Sequence, residues 1–230
     1  MKYMLFDVES TGLGLHDEVI QFAGFLLQED FATIEKIVNF YCDTDTPISA
    51  GALAAHHITA TELHKRSGGV TFEQRYQILK DIFDQDDITF ITYNAAFDFR
   101  IFNQTLTNNG LAPYKFPPIE TRLHKSGRHS LCLMNASTEV ANGGRKRKNI
   151  ETVLNKRVLT EFYNSLNING RLNGIIDPND TDRLLQAMNA IYASICKQHN
   201  LEDSGTLHNA LYDTFLSWLI LQTYGNQLIV

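Results

Sequence analysis

The sequence contains no apolar run of the roughly 18–20 residues that a membrane-spanning helix requires. The longest apolar stretches, Phe22–Leu27 and Leu216–Leu221, have only the length of core elements. An N-terminal signal sequence is also excluded, because acidic residues at positions 7 and 9 interrupt the short apolar start. We therefore expect a cytoplasmic protein that does not associate with membranes.

Cysteine is scarce and is not arranged in pairs. The chain has three cysteines, Cys42, Cys132 and Cys196, an odd number without a CxxC pair. A disulfide framework or a cysteine zinc site needs closely spaced or paired cysteines. The pattern instead predicts reduced thiols in the core of a cytosolic protein.

An excess of positive charge is missing as well. The 230 residues include 20 Lys and Arg against 26 Asp and Glu, which gives a formal net charge of −6. This argues against a protein that binds nucleic acid through a broad basic surface. It does not exclude an enzyme that acts on nucleic acid, since carboxylates gathered around divalent cations are neutralised locally.

The order of the apolar segments predicts an α/β domain with a mixed sheet. Three strand-like runs that suggest an antiparallel meander come first: Tyr3–Val8, Val19–Leu27 and Thr33–Cys42. A buried-strand pattern at Ile88–Tyr93 then leads through Asn94, a good helix N-cap, into a helix at Ala95–Thr107. Further helices are predicted before and after this unit: Ser49–Ala55, Ala60–Lys65, Phe72–Phe83, Ile150–Asn164, Thr181–Lys197 and Ala210–Tyr224.

Two acidic residues mark the end of the first predicted strand. Side chains alternate along a strand, so Asp7 and Glu9 project from the same face, about 7 Å apart. Carboxylate pairs of this kind are suited to binding hard divalent cations. Alone, the pair is weak evidence, because most such pairs are merely solvated.

A third acidic residue, Asp98, lies in the first turn of the helix that follows the strand at Ile88–Tyr93. The positive end of the helix dipole favours an ionised carboxylate at that place. Ligands of open α/β sheets also collect where strands lead into helices.

The last group combines a histidine with an acid five residues later. On one continuous helix, His208 and Asp213 would differ in direction by about 140° and would not share a face. If both serve one site, His208 lies on a loop before the helix and Asp213 on the helix itself. A histidine near neutral pKa on such a loop is suited to act as a general base.

Together these groups resemble the signature motifs of the DEDDh exonucleases, the DnaQ-like family of the DNA polymerase III epsilon proofreading subunit. The first motif is FDVESTGL (Phe6–Leu13), the second YNAAFDFRIF (Tyr93–Phe102) and the third LHNALYDT (Leu207–Thr214). A weaker match is AHHIT (Ala55–Thr59). Three motifs in the family's order are far more specific than any one of them.

The resemblance implies an RNase H-like fold, with a five-stranded mixed sheet flanked by helices. It implies two Mg²⁺ ions, replaceable by Mn²⁺, and stepwise release of 5′-mononucleotides from the 3′ ends of DNA or RNA. The residues that it assigns to the metals are Asp7, Glu9, Asp98 and Asp213, with His208 as the general base. Those that it assigns to the substrate are Thr11, Leu13, His56 and Phe97.

The chain departs from the family pattern in several places. Gln21 stands where many members have Glu, Tyr93 where they have His, and His57 where they have Gly. The chain is also longer between the second and third motifs. We expect a single exonuclease domain at residues 1–230 with an insertion at about residues 135–182, in which Arg145–Lys148 forms either a phosphate-binding flap or a solvated loop.

Other functions have to be weighed against the exonuclease. A catalytically retired, nuclease-like module that only binds nucleic acid would usually have lost the five residues of the site, and all five are present. An endonuclease or integrase of the same broad fold is disfavoured by the spacing from His208 to Asp213. The short segment after Asp213 favours a free-standing nuclease over a polymerase subunit, although association with a polymerase stays open.

Overall fold

A computed structural model describes residues 1–124, 127–142, 150, 159–160, 162, 180–202 and 205–229. A mixed sheet forms its centre, with the strand order β3-β2-β1-β4-β6-β5. The strands are β1 (Lys2–Ser10), β2 (Val19–Leu27), β3 (Ile34–Tyr41), β4 (Ile88–Thr92), β5 (Ile119–Glu120) and β6 (Ser130–Cys132). The first three pair antiparallel as the predicted meander, and β4, β6 and β5 continue the sheet in parallel.

In the part of the chain that the structure describes the sheet has six strands, so the predicted number of five is wrong. The strand that the sequence did not indicate is β5, which consists of Ile119 and Glu120 paired with Ser130 and Leu131 of β6. Two residues are too few to show an alternating pattern, and the sequence of residues 111–131, in which they lie, is proline-rich and predicts a loop. The sequence also predicts a short strand at Leu131–Met134. The corresponding strand, β6, begins and ends earlier, because Leu133 already starts a helix.

Helices cover both faces of this sheet. In the described part of the chain they are α1 (Ala50–His56), α2 (Ala60–Ser67), α3 (Phe72–Phe83), α4 (Ala95–Asn108), α5 (Leu133–Asn142), α6 (Thr181–Gln198) and α7 (Ala210–Leu228). All but α5 were predicted to within a few residues. The helix predicted at Ile150–Asn164 and the basic run Arg145–Lys148 lie largely or wholly outside the described residues. No described helix combines the length and apolarity that a bilayer crossing needs.

The departure from the family pattern at His57 has a backbone explanation. His57 is the C-cap of α1 and has a φ of 59°, in the left-handed region. Its backbone N–H donates to the Leu53 carbonyl and closes the helix. Glycine adopts this conformation with least strain, so the glycine of the family pattern suits the C-cap position that His57 occupies here.

The two faces of β1 pack into different apolar clusters. Tyr3 and Leu5 belong to the cluster that contains most of α7, whereas Met4, Phe6 and Val8 belong to the cluster under α3 and α4. Odd-numbered residues of β1 therefore point towards α7. The same alternation directs positions 7 and 9 to the α7 side, where the apolar cluster gives way to acidic residues.

Candidate active site

Three of the acidic side chains meet where β1 ends against the first turn of α7. Asp7, Glu9 and Asp213 each contribute a carboxylate oxygen, and these three oxygens lie within 4.8 Å of one another. All three side chains are partly buried. The pairing of β1 with β2 shifts register between Glu9 and Ser10, an irregularity of the kind that often accompanies a functional site at a strand end.

Asp98 approaches the same place from α4. Strands β1 and β4 are parallel neighbours, so the carboxyl ends of both strands lie at one edge of the sheet, and α4 begins there. Asp98 is only 1% exposed, and its Oδ2 atom has no hydrogen-bond partner among the described residues. Asn94 is the N-cap as predicted, but its side chain makes no capping hydrogen bond.

The proximity of the acids shows in their protonation. Burial raises the pKa of Asp7 well above its ordinary value, and the charges of Asp98, Asp213 and Glu9 raise it further. Burial, followed by the charges of Asp213 and Asp98, likewise raises the pKa of Glu9. The pKa of Asp98 is raised to about 7, with burial as the largest cause. Without a cation, the cluster therefore holds protons at a higher pH than exposed carboxylates do.

The cluster fits a divalent metal ion. Carboxylate oxygens are hard ligands of the kind that Mg²⁺ and Mn²⁺ prefer. Among the described residues, no Lys or Arg forms an ion pair with Asp7, Glu9 or Asp98. Buried carboxylates without a cationic partner are costly, and a divalent cation would supply the missing positive charge.

His208 lies immediately before α7, as the five-residue spacing predicted. The helix begins at Ala210 with Asn209 as its N-cap, and His208 precedes both with a φ of 57°. The His208 backbone N–H donates to Asp213 Oδ2 at 3.2 Å, while the residue itself is exposed. The imidazole is thus attached beside the carboxylates and is accessible to solvent.

A pocket of about 370 Å³ opens next to the acidic cluster. Its lining includes Glu9 and three of the four residues assigned to the substrate, Leu13, His56 and Phe97. Sequence reasoning missed the rest of the wall, whose members are small or polar: Ser10, Gly12, Ser49, Gly51, Ala52 and Ala55. The small residues at positions 51, 52 and 55 could have indicated this wall in the sequence, because their short side chains leave space on one side of α1.

Thr11, the fourth residue assigned to the substrate, does not line this pocket and is hydrogen-bonded within the protein instead. Its buried hydroxyl donates to Asp17 Oδ1 at 2.8 Å and accepts from the Glu18 N–H at 3.0 Å. Its carbonyl accepts a hydrogen bond from the Ser49 N–H at 2.8 Å. In this structure the Thr11 side chain therefore holds the loop between β1 and β2, and the Thr11 backbone carbonyl ties this loop to the start of α1.

His56 is also engaged in the frame of the pocket. Its Nδ1 accepts a hydrogen bond from the Ile58 N–H at 2.9 Å, so the proton is on Nε2, which donates to the Ser10 carbonyl at 3.2 Å. Burial lowers the pKa of His56 and favours the neutral ring that these two bonds require. The ring thereby fixes α1 to the end of β1, beside Glu9.

The raised pKa values predict that the metal-free protein loses stability as the pH rises. Between about pH 4, the ordinary pKa of Asp, and the Asp98 pKa of about 7, the folded state holds protons that the unfolded chain has released. The free energy of unfolding therefore falls across this window. Melting temperatures in EDTA should be lower at pH 8 than at pH 5, and the difference should shrink when Mn²⁺ is added or Asp98 is replaced by Asn. An equal pH dependence in Asp98→Asn would contradict this account.

Comparison with known proteins identifies relatives of the chain. The sequence model of an exonuclease family, RNase T, matches residues 4–157. The PolC-type DNA polymerase III of Ureaplasma parvum serovar 3 is 31% identical over 121 residues, which are 52% of this chain and 8% of that polymerase. The chain thus corresponds to a small part of that relative.

Solved structures of exonuclease I have the same fold. The Escherichia coli enzyme in its complex with single-stranded DNA matches 98% of this chain and 40% of its own, with a TM-score of 0.60 and 16% identity. Exonuclease I from Methylocaldum szegediense also matches 98% of this chain and 40% of its own, with a TM-score of 0.61 and 15% identity. These matches confirm the predicted RNase H-like α/β fold with a mixed sheet flanked by helices.

Proposed function

The chain belongs to the RNase T exonuclease family, and from this premise we propose that it is a metal-dependent 3′→5′ exonuclease that releases 5′-mononucleotides. The observation that carries the proposal is the convergence of Asp7, Glu9 and Asp213 within 4.8 Å, beside a pocket that Glu9 also lines. We propose that residues 1–230 form one exonuclease domain, with an insertion at about residues 135–182.

Asp7, Glu9, Asp98 and Asp213 are the proposed ligands of two divalent ions, with Mg²⁺ as the first choice. When bound, the ions would activate water and stabilise the charge that develops on the phosphate and the leaving 3′ oxygen. Asp7 and Glu9 are fixed by β1, and Asp213 by the first turn of α7. Because these three ligands come from the sheet and a packed helix, their separations are set by the fold before any substrate arrives.

His208 is the proposed general base. Its backbone hydrogen bond to Asp213 keeps the ring's attachment point next to the metal ligands. Its exposure leaves the ring free to reach a water molecule beside the scissile phosphate. Taking a proton from that water prepares the attack on phosphorus and leaves the departing 3′ oxygen to be protonated from solvent.

The pocket is proposed to hold the terminal nucleotide. Its volume of about 370 Å³ lies at the small end of ligand sites and suits one nucleotide better than a duplex end. Leu13, which is 77% exposed, and Phe97 offer apolar surfaces to a base. The Arg100 guanidinium lies 5.5 Å from the centre of the Phe97 ring and limits the positions that the ring can adopt.

Replacing Phe97 by Ala should weaken substrate binding more than it slows the chemical step. Stacking of one base on an aromatic ring contributes about 1–3 kcal/mol, so KM should rise about 5–150-fold while kcat changes far less. Steady-state kinetics on a short single-stranded oligonucleotide measure both. Leu15→Ala is the control, because Leu15 is about as exposed as the pocket residue Leu13 and lies on the same loop, but does not line the pocket. An equal rise of KM in both variants would remove Phe97 from the substrate site.

The relatives support nucleic acid as the substrate. Exonuclease I of Escherichia coli has been solved with single-stranded DNA and with a dA16 oligonucleotide. Single-stranded 3′ ends are accordingly the proposed substrates, and DNA and RNA are both to be tried. Association with a polymerase would be a separate property. Among the matches described above, the PolC-type DNA polymerase III is the one that suggests it.

One experiment tests reaction class, direction and substrate together. Oligonucleotides of DNA and RNA, labelled at the 5′ end, are incubated single-stranded or as duplexes, first with Mg²⁺ and then with EDTA. We expect a ladder that shortens one nucleotide at a time from the 3′ end and is absent with EDTA. Immediate release of the 5′ label would contradict the direction, and discrete internal fragments would indicate an endonuclease. Binding without any cleavage would favour the retired module.

A further inference from the structure

Gln21 lies in a row of side chains that crosses the sheet beside the acidic cluster. Glu9 of β1 is paired with Gln21 of β2, which is paired with Tyr41 of β3. Directly paired residues project from the same face of an antiparallel sheet. Gln21 therefore stands between a proposed metal ligand and a tyrosine, and its side chain is 0% exposed.

The buried amide of Gln21 makes three hydrogen bonds, two of which go to the start of α7. Its Oε1 accepts from the Ala210 N–H at 3.2 Å, and its Nε2 donates to Asn209 Oδ1 at 3.2 Å. The third bond leads away from α7, from Nε2 to Asn39 Oδ1 at 3.1 Å. An amide suits this place because it accepts on one side and donates twice on the other.

Asn209 passes this constraint on to the residues of the site. Its Oδ1 caps α7 by accepting from the Leu211 N–H at 3.0 Å, and its Nδ2 donates to the Tyr41 hydroxyl at 3.3 Å. Its carbonyl accepts from the Asp213 N–H at 2.9 Å. Asn209 is also bonded covalently to His208. Asn209, the N-cap that Gln21 holds, is thus adjacent to His208 in the chain and hydrogen-bonded to Asp213.

We propose that Gln21 is a positioning residue, which fixes the first turn of α7 so that Asp213 meets Asp7 and Glu9 and His208 stays beside them. This rests on the proposed function and identifies a support of that same site. An ionised Glu, the residue of many relatives, only accepts hydrogen bonds. A Glu at position 21 could not donate to the side-chain Oδ1 atoms of Asn209 and Asn39, as the Gln21 amide does. This chain therefore depends on the neutral amide.

The decisive variant is Gln21→Met, which preserves length and packing but removes all three hydrogen bonds. Loss of a residue that orients a metal ligand typically reduces metal affinity or activity about 10–100-fold. We expect kcat to fall by that factor, KM for the oligonucleotide to change by less than about 3-fold, and affinity for Mn²⁺, measured by calorimetry, to fall with kcat. Hydrogen exchange at the Ala210 N–H should also become faster, because its acceptor is gone.

Asn39→Ala is the matched control. It removes a hydrogen bond from the same amide group of Gln21, but the one that does not lead to α7. We expect wild-type kcat, wild-type Mn²⁺ affinity and unchanged exchange at Ala210. Asn209→Ala removes the other end of the Gln21–Asn209 bond and should reproduce the losses of Gln21→Met, which provides a second route if that variant does not fold.

Two results would overturn the assignment. One is a folded Gln21→Met protein with wild-type Mn²⁺ affinity and kcat. The other is an Asn39→Ala protein that loses as much as Gln21→Met, which would indicate a general packing role. Failure of the proposed function is distinguishable from both, because a wild-type protein without nuclease activity would still report the role of Gln21 through Mn²⁺ affinity and through exchange at Ala210.

Discussion

Replacement of Asp7 by Asn is expected to abolish Mg²⁺-dependent release of mononucleotides. Asp7 is one of three carboxylates whose oxygens lie within 4.8 Å, and a neutral amide is a poor ligand for a divalent ion. Loss of a supporting contact around a metal typically costs about 10–100-fold. Loss of a ligand itself should cost more, on the order of 10³-fold or more in kcat. The measurement is single-turnover cleavage of a 5′-labelled oligonucleotide.

The stability of the same variant separates loss of chemistry from loss of fold. Burial raises the pKa of Asp7 most, and the charges of Asp98, Asp213 and Glu9 raise it further, because the ionised carboxylates repel one another in the metal-free protein. Asp7→Asn removes one of them and should leave the melting temperature in EDTA unchanged or higher at pH 8. Asp45→Asn, the same substitution at an exposed acid, is the matched control and should retain activity. Full activity in Asp7→Asn would refute the assigned metal site.

Replacement of His208 by Ala is expected to reduce kcat about 10²–10⁴-fold, the usual contribution of a positioned general base. The metal ligands remain, so Mn²⁺ affinity should change little. The residual rate should rise with pH, since hydroxide replaces the missing base. Activity measured from pH 6 to pH 9 tests both the size of the loss and its pH dependence.

The backbone at His208 calls for a companion variant. With a φ of 57°, the residue occupies a left-handed conformation that Asn tolerates better than Ala. His208→Asn therefore removes the imidazole with less strain and should lose the same activity as His208→Ala. His57→Asn is the matched control, because His57 is an exposed histidine with a φ of 59° at the end of α1. Wild-type turnover in His208→Asn would exclude His208 from the proton transfer.

Local pattern in the sequence predicted much of the site. Alternation along one strand placed Asp7 and Glu9 on one face, and the structure has both on the α7 side of β1. The five-residue spacing from His208 to Asp213 is incompatible with one helical face, and α7 indeed begins between them. These features depend on a few neighbouring residues, which is why they can be read from the chain.

Features that depend on distant partners were not accessible in this way. The register that pairs Glu9 with Gln21 and Gln21 with Tyr41 exists only once three strands have assembled. The inward hydroxyl of Thr11 depends on Asp17 and Glu18, which the motif does not include. Strand β5 owes its two residues of pairing to β6 rather than to its own composition.

The position of α7 beside β1 has a consequence for the order in which the protein folds. Asp213 is separated from Asp7 by roughly 200 residues of the chain, and closing so long a loop is slow compared with forming local structure. Until α7 is made and docks beside β1, Asp7 and Glu9 stand without Asp213 and His208. The acidic cluster should therefore be complete only in the last steps of folding, and a chain that ends before α7 should bind Mn²⁺ weakly.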